Sequence, residues 1–251
     1  MFEDFGIIIL AAGQGKRLGC TDKPKVLLEI GGWPMVSYIL ETLEKGGVPK
    51  ENICLVVGLQ AEKVKEKLGP GYIYAMQEEQ LGTAHAAHTG EEALRENVKN
   101  FLVLNGDDSA FLKFETLEKF VSFHLDSKND LTLLTCEVGD PSLLGRVARD
   151  KIGKLRAVIE KENLTAGVAD TNEVSSGIYC FKREWFRNVF PDLKPILNLN
   201  EYGLPSFIDE AAKLKAKFDA MAMDNPSEWF GINTPEQLKE ADRRKTEIAK
   251  I

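Results

Sequence analysis

The chain has 251 residues, 43% of them hydrophobic and 28% charged, with a formal net charge of −7. These values are typical of a folded globular protein and exclude a collagen-like or disordered chain. The acidic balance argues against binding of nucleic acid or of an anionic membrane, so any phosphate group must be held by a local site.

Short apolar runs alternate with amphipathic stretches through the first half of the chain. Strands are predicted at 7–10, 53–57, 72–76 and 101–104, and helices at 34–43, 61–68 and 83–94. Repetition of strand, helix and strand with short connections predicts right-handed crossovers and a parallel sheet.

The pattern changes after residue 110. We predict a helix near 116–125, strands at 131–138 and 174–181, and a hairpin of 145–149 with 155–160 that adds to the main sheet. The final helix begins at Thr234-Pro-Glu-Gln237, which combines a capping box with Pro in the first turn. Since no linker, repeat or low-complexity stretch interrupts the sequence, we expect one α/β domain over residues 1–251.

The cysteines and histidines form no recognisable metal or redox motif. The four cysteines lie far apart without a C-x-x-C pair, so we expect neither a disulfide scaffold nor a zinc site. His85 and His88 have a spacing that could hold a metal, but no third Cys or His lies near them in sequence. We therefore expect reduced, mostly buried cysteines and histidines with a structural role.

The N-terminal segment is acidic and lacks the basic region of a signal peptide. The longest apolar runs, such as 7–12, are too short to cross a bilayer. These features predict a soluble cytoplasmic protein.

A glycine-containing loop follows the first predicted strand. It reads Leu10-Ala11-Ala12-Gly13-Gln-Gly15-Lys-Arg17-Leu-Gly19. Ligands of open α/β sheets lie at the carboxyl ends of strands, and small residues let backbone N–H groups approach phosphates closely. The loop is not a Walker A motif, because Arg17 stands where Ser or Thr is required. Arg17 and the following Lys25 flank these backbone donors and predict a triphosphate cradle.

Together with later motifs, this loop resembles the sugar-1-phosphate nucleotidyltransferases. The resemblance covers L-A-A-G-x-G-x-R-[LM], then P-K-[VPA]-L, and runs from residue 7 to about 240. Gln77-Glu-Glu-Gln80-Leu-Gly-Thr83-Ala-His closely resembles the bacterial N-acetylglucosamine-1-phosphate uridylyltransferases. The resemblance implies a Rossmann-like, mostly parallel mixed sheet flanked by helices, with an antiparallel hairpin on the acceptor side. Residues 1–110 would bind the nucleotide and residues 111–251 the sugar phosphate, without the acetyltransferase domain of the two-domain members.

The same resemblance assigns the nucleotide-binding residues. The loop from Leu10 to Gly13 and Lys25 would hold the phosphates. Gln77 and Gly82 match positions that contact a pyrimidine base, and a Gln side chain offers the donor and acceptor that suit an imide edge. Thr83 begins a helix whose N-terminus can hold polar or anionic groups.

A magnesium site is implied at the end of a hydrophobic strand. Asp107 and Asn233 match the metal ligands of the family, and Asn105 and Gly106 line the nucleotide. A hard cation that prefers oxygen ligands and substrate phosphates suits one or two protein groups. Asp108 is adjacent and could bind the metal through water.

The acceptor side departs from the family pattern. The segments that resemble the sugar-phosphate site contain Gly145, Glu160, Lys161, Ser175 and Asn233. Glu160 would accept hydrogen bonds from sugar hydroxyls, and Lys161 would neutralise the acceptor phosphate. Ser175 stands where the family has Asn, and Gly203-Leu-Pro205-Ser206 where it has Tyr-[LI]-Thr-Asp. Base recognition is therefore better supported than the identity of the sugar.

The implied reaction is Mg2+-assisted attack of a sugar 1-phosphate on the α-phosphate of a nucleoside triphosphate. UTP and N-acetylglucosamine 1-phosphate are the first choice, with Arg17 and Lys25 at the phosphates as the catalytic cations. Glucose 1-phosphate or another phosphate acceptor, with UTP, dTTP or CTP, remains an alternative. A guanylyltransferase of the molybdenum-cofactor type is disfavoured by the pyrimidine-type segment. A regulator that binds nucleotide-sugars without turnover is a further alternative, and the oligomeric state stays open.

Overall fold

The computed structural model describes residues 2–13, 15–19, 23–142, 144–159, 164, 168, 170–196 and 200–249. Two of the predicted acceptor residues, Glu160 and Lys161, lie outside these described residues, as does Cys20. The other three cysteines are buried and free of disulfides, as predicted.

The described part of the chain contains eleven strands and seven α-helices. The strands are β1 (Phe5–Ala11), β2 (Glu29–Ile30), β3 (Trp33–Pro34), β4 (Ile53–Val57), β5 (Ile73–Met76), β6 (Asn100–Asn105), β7 (Leu131–Glu137), β8 (Arg146–Arg149), β9 (Leu155–Ile159), β10 (Glu173–Lys182) and β11 (Phe218–Ala222). The helices are α1 (Met35–Lys45), α2 (Ala61–Leu68), α3 (Thr83–Ala93), α4 (Phe114–Ser127), α5 (Arg183–Val189), α6 (Ser206–Lys213) and α7 (Pro235–Ile248).

Seven strands form one sheet in the order β11-β7-β10-β6-β1-β4-β5. Neighbouring strands run parallel except at β10, which is antiparallel to both β6 and β7. This confirms the mostly parallel mixed sheet predicted from the sequence. Because β10 runs antiparallel to β6, the start of β10 lies at the same edge of the sheet as the carboxyl ends of β1, β5 and β6.

The central strands are apolar on both faces because helices cover both sides of the sheet. Ile7, Ile8 and Ile9 of β1 are all fully buried, which is the pattern of a parallel strand between two helical layers. One core cluster joins the sheet to residues of α1, α2 and α4, and the other joins it to residues of α3, α5 and α6. In the described residues, no helix combines the length and apolar character needed to span a membrane.

The predicted hairpin forms, but it does not extend the main sheet. β8 and β9 pair with each other as a separate two-stranded sheet. Asp150 shapes the turn, because its side chain accepts hydrogen bonds from the backbone N–H groups of Ile152 (3.0 Å) and Lys154 (2.9 Å). Arg149 fastens the hairpin to β10 through two hydrogen bonds to the Glu173 carboxylate, at 2.7 and 2.6 Å. The hairpin therefore packs across the sheet by side chains instead of joining it by backbone pairing.

Candidate active site

A cavity of about 250 Å³ opens at the carboxyl edge of the sheet, where β1, β5 and β6 end. Ligands of open α/β sheets bind at this edge. The predicted nucleotide residues that line it are Leu10, Ala12, Gly13, Lys25, Gln77, Gly82, Thr83, Asn105 and Asp107. Most of the predicted nucleotide-binding residues therefore lie around one cavity.

Two predicted residues of the glycine loop lie outside the lining. Ala11 is buried within β1, where it pairs with Val57 of β4. Arg17 lies exposed in a 3₁₀ turn, Lys16–Leu18. Neither residue belongs to the cavity lining, so the geometry favours Lys25 over Arg17 as the cation at the phosphates.

Close backbone packing explains Gly106. Its N–H donates to the Leu10 carbonyl (2.9 Å), which joins the end of β6 to the end of β1. A Cβ at this position would lie 3.0 Å from Val26 Cγ1 and 3.1 Å from the Leu10 oxygen. Gly106 therefore shapes the cavity through its lack of a side chain.

Lys25 connects three separate segments of the chain. Pro24 precedes it and the residue begins a 3₁₀ turn, Lys25–Leu27, where it is only 7% exposed. The Lys25 ammonium donates to Asp107 Oδ2 and to Asn233 Oδ1, the latter at 2.9 Å. The two predicted metal ligands therefore meet at one buried positive charge.

The predicted capping box places Asn233. Thr234 Oγ1 accepts from the Gln237 N–H (3.3 Å), and the Gln237 side chain accepts from the N–H groups of Thr234 (3.1 Å) and Asn233 (2.7 Å). The Ile232 N–H donates to the Asp107 carbonyl (3.2 Å) and draws this segment against the end of β6. The start of α7 thus presents the Asn233 side chain to Lys25.

The donor set at Lys25 fits a divalent cation. A carboxylate oxygen of Asp107 and the amide oxygen of Asn233 both face the same ammonium group, which stands where a cation would. Two oxygen ligands of this kind suit Mg2+, which takes its remaining ligands from water and substrate phosphates. No cluster of three or more His, Cys, Asp or Glu side chains suited to a metal occurs among the described residues.

Gln77 lines the cavity and is held in place by several contacts. It follows β5, is 4% exposed, and its backbone N–H donates to the Val57 carbonyl (2.8 Å). Its side-chain nitrogen lies 3.2 Å from the Gly82 carbonyl and 3.0 Å from His85 Nδ1. Burial, with His88 nearby, lowers the pKa of His85. No role in the site was predicted for His85, although it lies within the motif that resembles the uridylyltransferases.

A second unpredicted residue supports the glycine loop. Gln80 lines the cavity, and its side-chain N–H donates to the Ala12 carbonyl at 2.7 Å. Glu201, from the second half of the chain, also lines the cavity. Gln80 stands in the same motif as Gln77, so the motif itself was the signal that could have identified it.

The start of α3 is packed against the segment around Tyr202. Gly82 has φ 97°, and a Cβ there would lie 2.5 Å from the Tyr202 carbonyl oxygen. The Ala84 N–H donates to that same oxygen (2.8 Å), and the Thr83 hydroxyl accepts from the Leu204 N–H (3.0 Å). The chain itself therefore uses part of the helix terminus that was predicted to receive a ligand.

A second cavity, also of about 250 Å³, adjoins the first and shares Thr83 and Asn105 with it. Gly145 and Ser175, two of the residues that the sequence analysis assigned to the acceptor side, line it. A β-bulge shifts the pairing of β10 between Ser175 and Ile178, and bulges commonly re-aim side chains beside binding sites. The two cavities form a continuous cleft across the carboxyl edge.

Asp108 faces the second cavity instead of the first. Its Oδ2 accepts from the Asn105 side chain (3.0 Å), which fixes both residues at the junction of the cavities. Burial and the neighbouring Asp107 raise the pKa of Asp108 well above its ordinary value, against the lowering effect of Asn105. The Asp108 side chain thus faces a different cavity from that of Asp107 and lies in different surroundings.

The structure is that of an α/β protein with a cavity at the carboxyl ends of its strands and a buried lysine beside it. This lysine contacts oxygen atoms of Asp107 and Asn233. The family profile described as nucleotidyl transferase matches residues 7–247, and the chain belongs to that family. The family expected from the motifs is therefore confirmed.

Curated relatives agree with this assignment. The chain is 35% identical over 239 residues to the bifunctional protein GlmU of Acetivibrio thermocellus, covering 94% of this chain and 50% of that protein. It is 34% identical over 243 residues to the protein of the same name from Clostridioides difficile, covering 95% of this chain and 51% of that one. The chain thus spans about half the length of these two relatives.

Solved structures share the fold. One, from Bacillus anthracis with sucrose bound and described as a glucose-1-phosphate thymidylyltransferase, has a TM-score of 0.79 at 21% identity, with 96% of this chain and 95% of that chain covered. HddC from Yersinia pseudotuberculosis, complexed with GMP-PN, has a TM-score of 0.70 at 23% identity, with 95% and 98% covered. At these identities the likeness concerns the fold alone.

Proposed function

We propose that the chain transfers a uridylyl group from UTP to N-acetylglucosamine 1-phosphate, forming UDP-N-acetylglucosamine and pyrophosphate. The observation that carries the proposal is the contact of the Lys25 ammonium with Asp107 and Asn233, beside the cavity that Gln77 and Gly82 line. The relatives named GlmU and the motif shared with the uridylyltransferases support this choice of substrates.

The reaction needs no nucleophile from the protein. A sugar phosphate is already anionic at neutral pH, so its oxygen can attack the α-phosphorus directly. The new bond joins that oxygen to the α-phosphorus, while the bond from the α-phosphorus to the oxygen bridging to the β-phosphate breaks and releases pyrophosphate. The work left to the protein is to position two anions and to stabilise the charge on them.

The chain's own residues divide this work between the two cavities. Gln77 and Gly82 would hold the base, and the loop from Leu10 to Gly13 would place backbone donors at the phosphates. Lys25 would supply positive charge beside the α-phosphate and the leaving group. The exposed Arg17 remains assigned to the outer phosphates, with less support from the geometry than Lys25.

Asp107 and Asn233 would hold Mg2+, because their oxygen atoms already converge on one cation. When bound, the ion would neutralise phosphate charge and make the α-phosphorus more electrophilic. Thr83 and Asn105 border both cavities, so a donor in one and an acceptor in the other would meet there. The cytoplasm is the compartment that we propose for this reaction.

The acceptor cavity departs from the family pattern at Ser175. Ser175, in place of the family's Asn, lines the second cavity, where its hydroxyl lies 3.4 Å from that of Tyr179. A shorter side chain leaves the sugar with one fewer reachable amide group. Glucose 1-phosphate, which lacks the acetamido group, is therefore a second candidate acceptor. Glu160 and Lys161 keep their proposed roles at the sugar hydroxyls and phosphate.

Initial rates of pyrophosphate formation test the proposal. We would combine UTP, dTTP, CTP and GTP with N-acetylglucosamine 1-phosphate and glucose 1-phosphate, with Mg2+ and after its removal by a chelator. The proposal predicts the highest kcat/KM for UTP with N-acetylglucosamine 1-phosphate, and no turnover without Mg2+. Pyrophosphate formation at the same rate without any sugar phosphate would contradict it.

A further inference from the structure

The chemistry of one carbonyl fixes the orientation of the Gln77 side chain. The amide atom that lies 3.2 Å from the Gly82 oxygen must be the nitrogen, because a carbonyl oxygen can only accept a hydrogen bond. A flipped amide would set two oxygen atoms against each other in a residue that is only 4% exposed. Gly82 alone therefore favours one of the two amide orientations.

His85 engages the same nitrogen from a second side. Its Nδ1 lies 3.0 Å from Gln77 Nε2, so this ring nitrogen accepts and the ring proton resides on Nε2. His85 occupies the third position of α3, three residues after Gly82, and it does not line the cavity. It acts on the base site only through Gln77.

Both hydrogen atoms of the Gln77 amide nitrogen are then directed away from the ligand. One points to Gly82 and the other to His85, which leaves the amide oxygen as the polar atom that Gln77 offers to the cavity. An amide that could rotate freely would offer either a donor or an acceptor. An amide held in this way offers an acceptor only.

We propose that His85 is a positioning residue that locks the Gln77 amide with its oxygen toward the nucleobase, and so selects bases with a protonated ring nitrogen. The proposal rests on the proposed function, because it assumes that the base lies against Gln77. With ring N3 facing the amide, uracil or thymine presents an N–H group, whereas cytosine presents a lone pair. The lock therefore favours UTP and dTTP over CTP.

Two substitutions of His85 distinguish the effect of its acceptor atom, Nδ1, from the effect of its planar ring. His85→Phe keeps a planar ring but removes Nδ1, and His85→Asn restores an acceptor near the place of Nδ1. We expect His85→Phe to lower the ratio of CTP to UTP dissociation constants by about tenfold, the effect of one hydrogen bond. His85→Asn should retain the ratio within about threefold. His88→Asn, on the same helix but stacked on Phe190, is the matched control and should leave the ratio unchanged.

A second measurement does not depend on enzyme activity. Nitrogen NMR of the wild-type imidazole should show the neutral His85 tautomer with its proton on Nε2, the form that accepts at Nδ1. A protonated Nδ1, or an unchanged CTP to UTP ratio in His85→Phe, would overturn the proposal. If His85→Phe does not fold, the wild-type tautomer still decides it.

Failure of the proposed function would look different. In that case no triphosphate and sugar phosphate would yield pyrophosphate, while the nucleotide dissociation constants and the His85 tautomer would still report on the lock. Retained catalysis with an unchanged base preference in His85→Phe would instead contradict only the role of His85.

Discussion

At the scale of single residues, Lys25 is the group on which the site depends most. A buried ammonium is stable only where acceptors replace its water, and here Asp107 and Asn233 are those acceptors. The same two oxygen ligands would bind a metal ion when the substrates arrive. The proposed function therefore assigns Lys25 to the substrate phosphates.

We predict that Lys25→Met lowers kcat/KM by about a hundredfold or more, because a charge that stabilises the transition state is lost. Initial rates of pyrophosphate formation check this. Lys23→Met, two residues earlier, is the control, since Lys23 is exposed and pairs with Glu29 at 3.2 Å. A Lys25→Met enzyme that retains a rate within a few-fold of wild type would remove Lys25 from the mechanism.

At the scale of elements, the start of α3 packs closely against the segment around Tyr202, beside the cavity. Gly82 has φ 97° and ψ −179°, a backbone region occupied almost only by glycine. Gly69, at the end of α2, has nearly the same angles, φ 79° and ψ −175°, but open space where a Cβ would point. Substitution of Gly69 would therefore report backbone strain alone, whereas substitution of Gly82 would report strain together with steric contact.

We expect Gly69→Ala to lower the free energy of unfolding by about 1–3 kcal/mol from strain alone. Gly82→Ala should lower it further, because its Cβ would lie 2.5 Å from the Tyr202 oxygen and 2.8 Å from the Tyr202 nitrogen, and backbone atoms cannot move aside easily. Only Gly82→Ala should also weaken UTP binding. Urea titration and calorimetry check both, and equal losses of stability would show that the Tyr202 contact is unimportant.

The elements also show where sequence patterns succeed. The strands β1, β4 and β6 were predicted because burial on both faces makes them continuous apolar runs. β11 was not predicted, since Phe218–Ala222 is a half-exposed edge strand that contains Asp219 and lacks β-branched residues. The capping box of α7 was predicted from four residues, because its hydrogen bonds are local.

The candidate site also contains both expected residues and contacts that the sequence did not reveal. Lys25, Asp107 and Asn233 were expected together through the family resemblance. The contacts of His85 with Gln77 and of Leu204 with Thr83 were not, since an individual hydrogen-bond partner is selected by tertiary packing that no local pattern records.

At the scale of the whole molecule, both halves of the chain contribute to one sheet. A buried histidine, His124, lies at the end of this sheet opposite the cleft. The cleft lies where β6 ends, whereas His124 of α4 is buried near Asn100, where β6 begins. His124 Nδ1 lies 2.7 Å from the Thr132 hydroxyl of β7. Burial lowers the pKa of His124 to about 4, although Asp130 partly opposes the shift.

We predict that His124 makes the fold sensitive to acid. In the unfolded chain a histidine has a pKa near 6.5, so between pH 6.5 and 4 the unfolded state binds the additional proton. The stability contributed above pH 6.5 is lost as the pH falls, by about 3 kcal/mol in total. Wild type should therefore lose more stability over this range than His124→Gln, measured by urea titration at each pH. Parallel pH profiles for the two proteins would contradict the prediction.

The central claim is that the cleft joins a nucleotide to a sugar phosphate, and phosphorus NMR tests it most directly. The protein would be mixed with UTP, N-acetylglucosamine 1-phosphate and Mg2+, and the phosphorus signals followed over time. We predict that the signals of both substrates decline together while those of a nucleotide-sugar diphosphate and of pyrophosphate appear in equal amounts. Unchanged substrates, or release of phosphate from UTP while the sugar phosphate signal stays constant, would contradict the account.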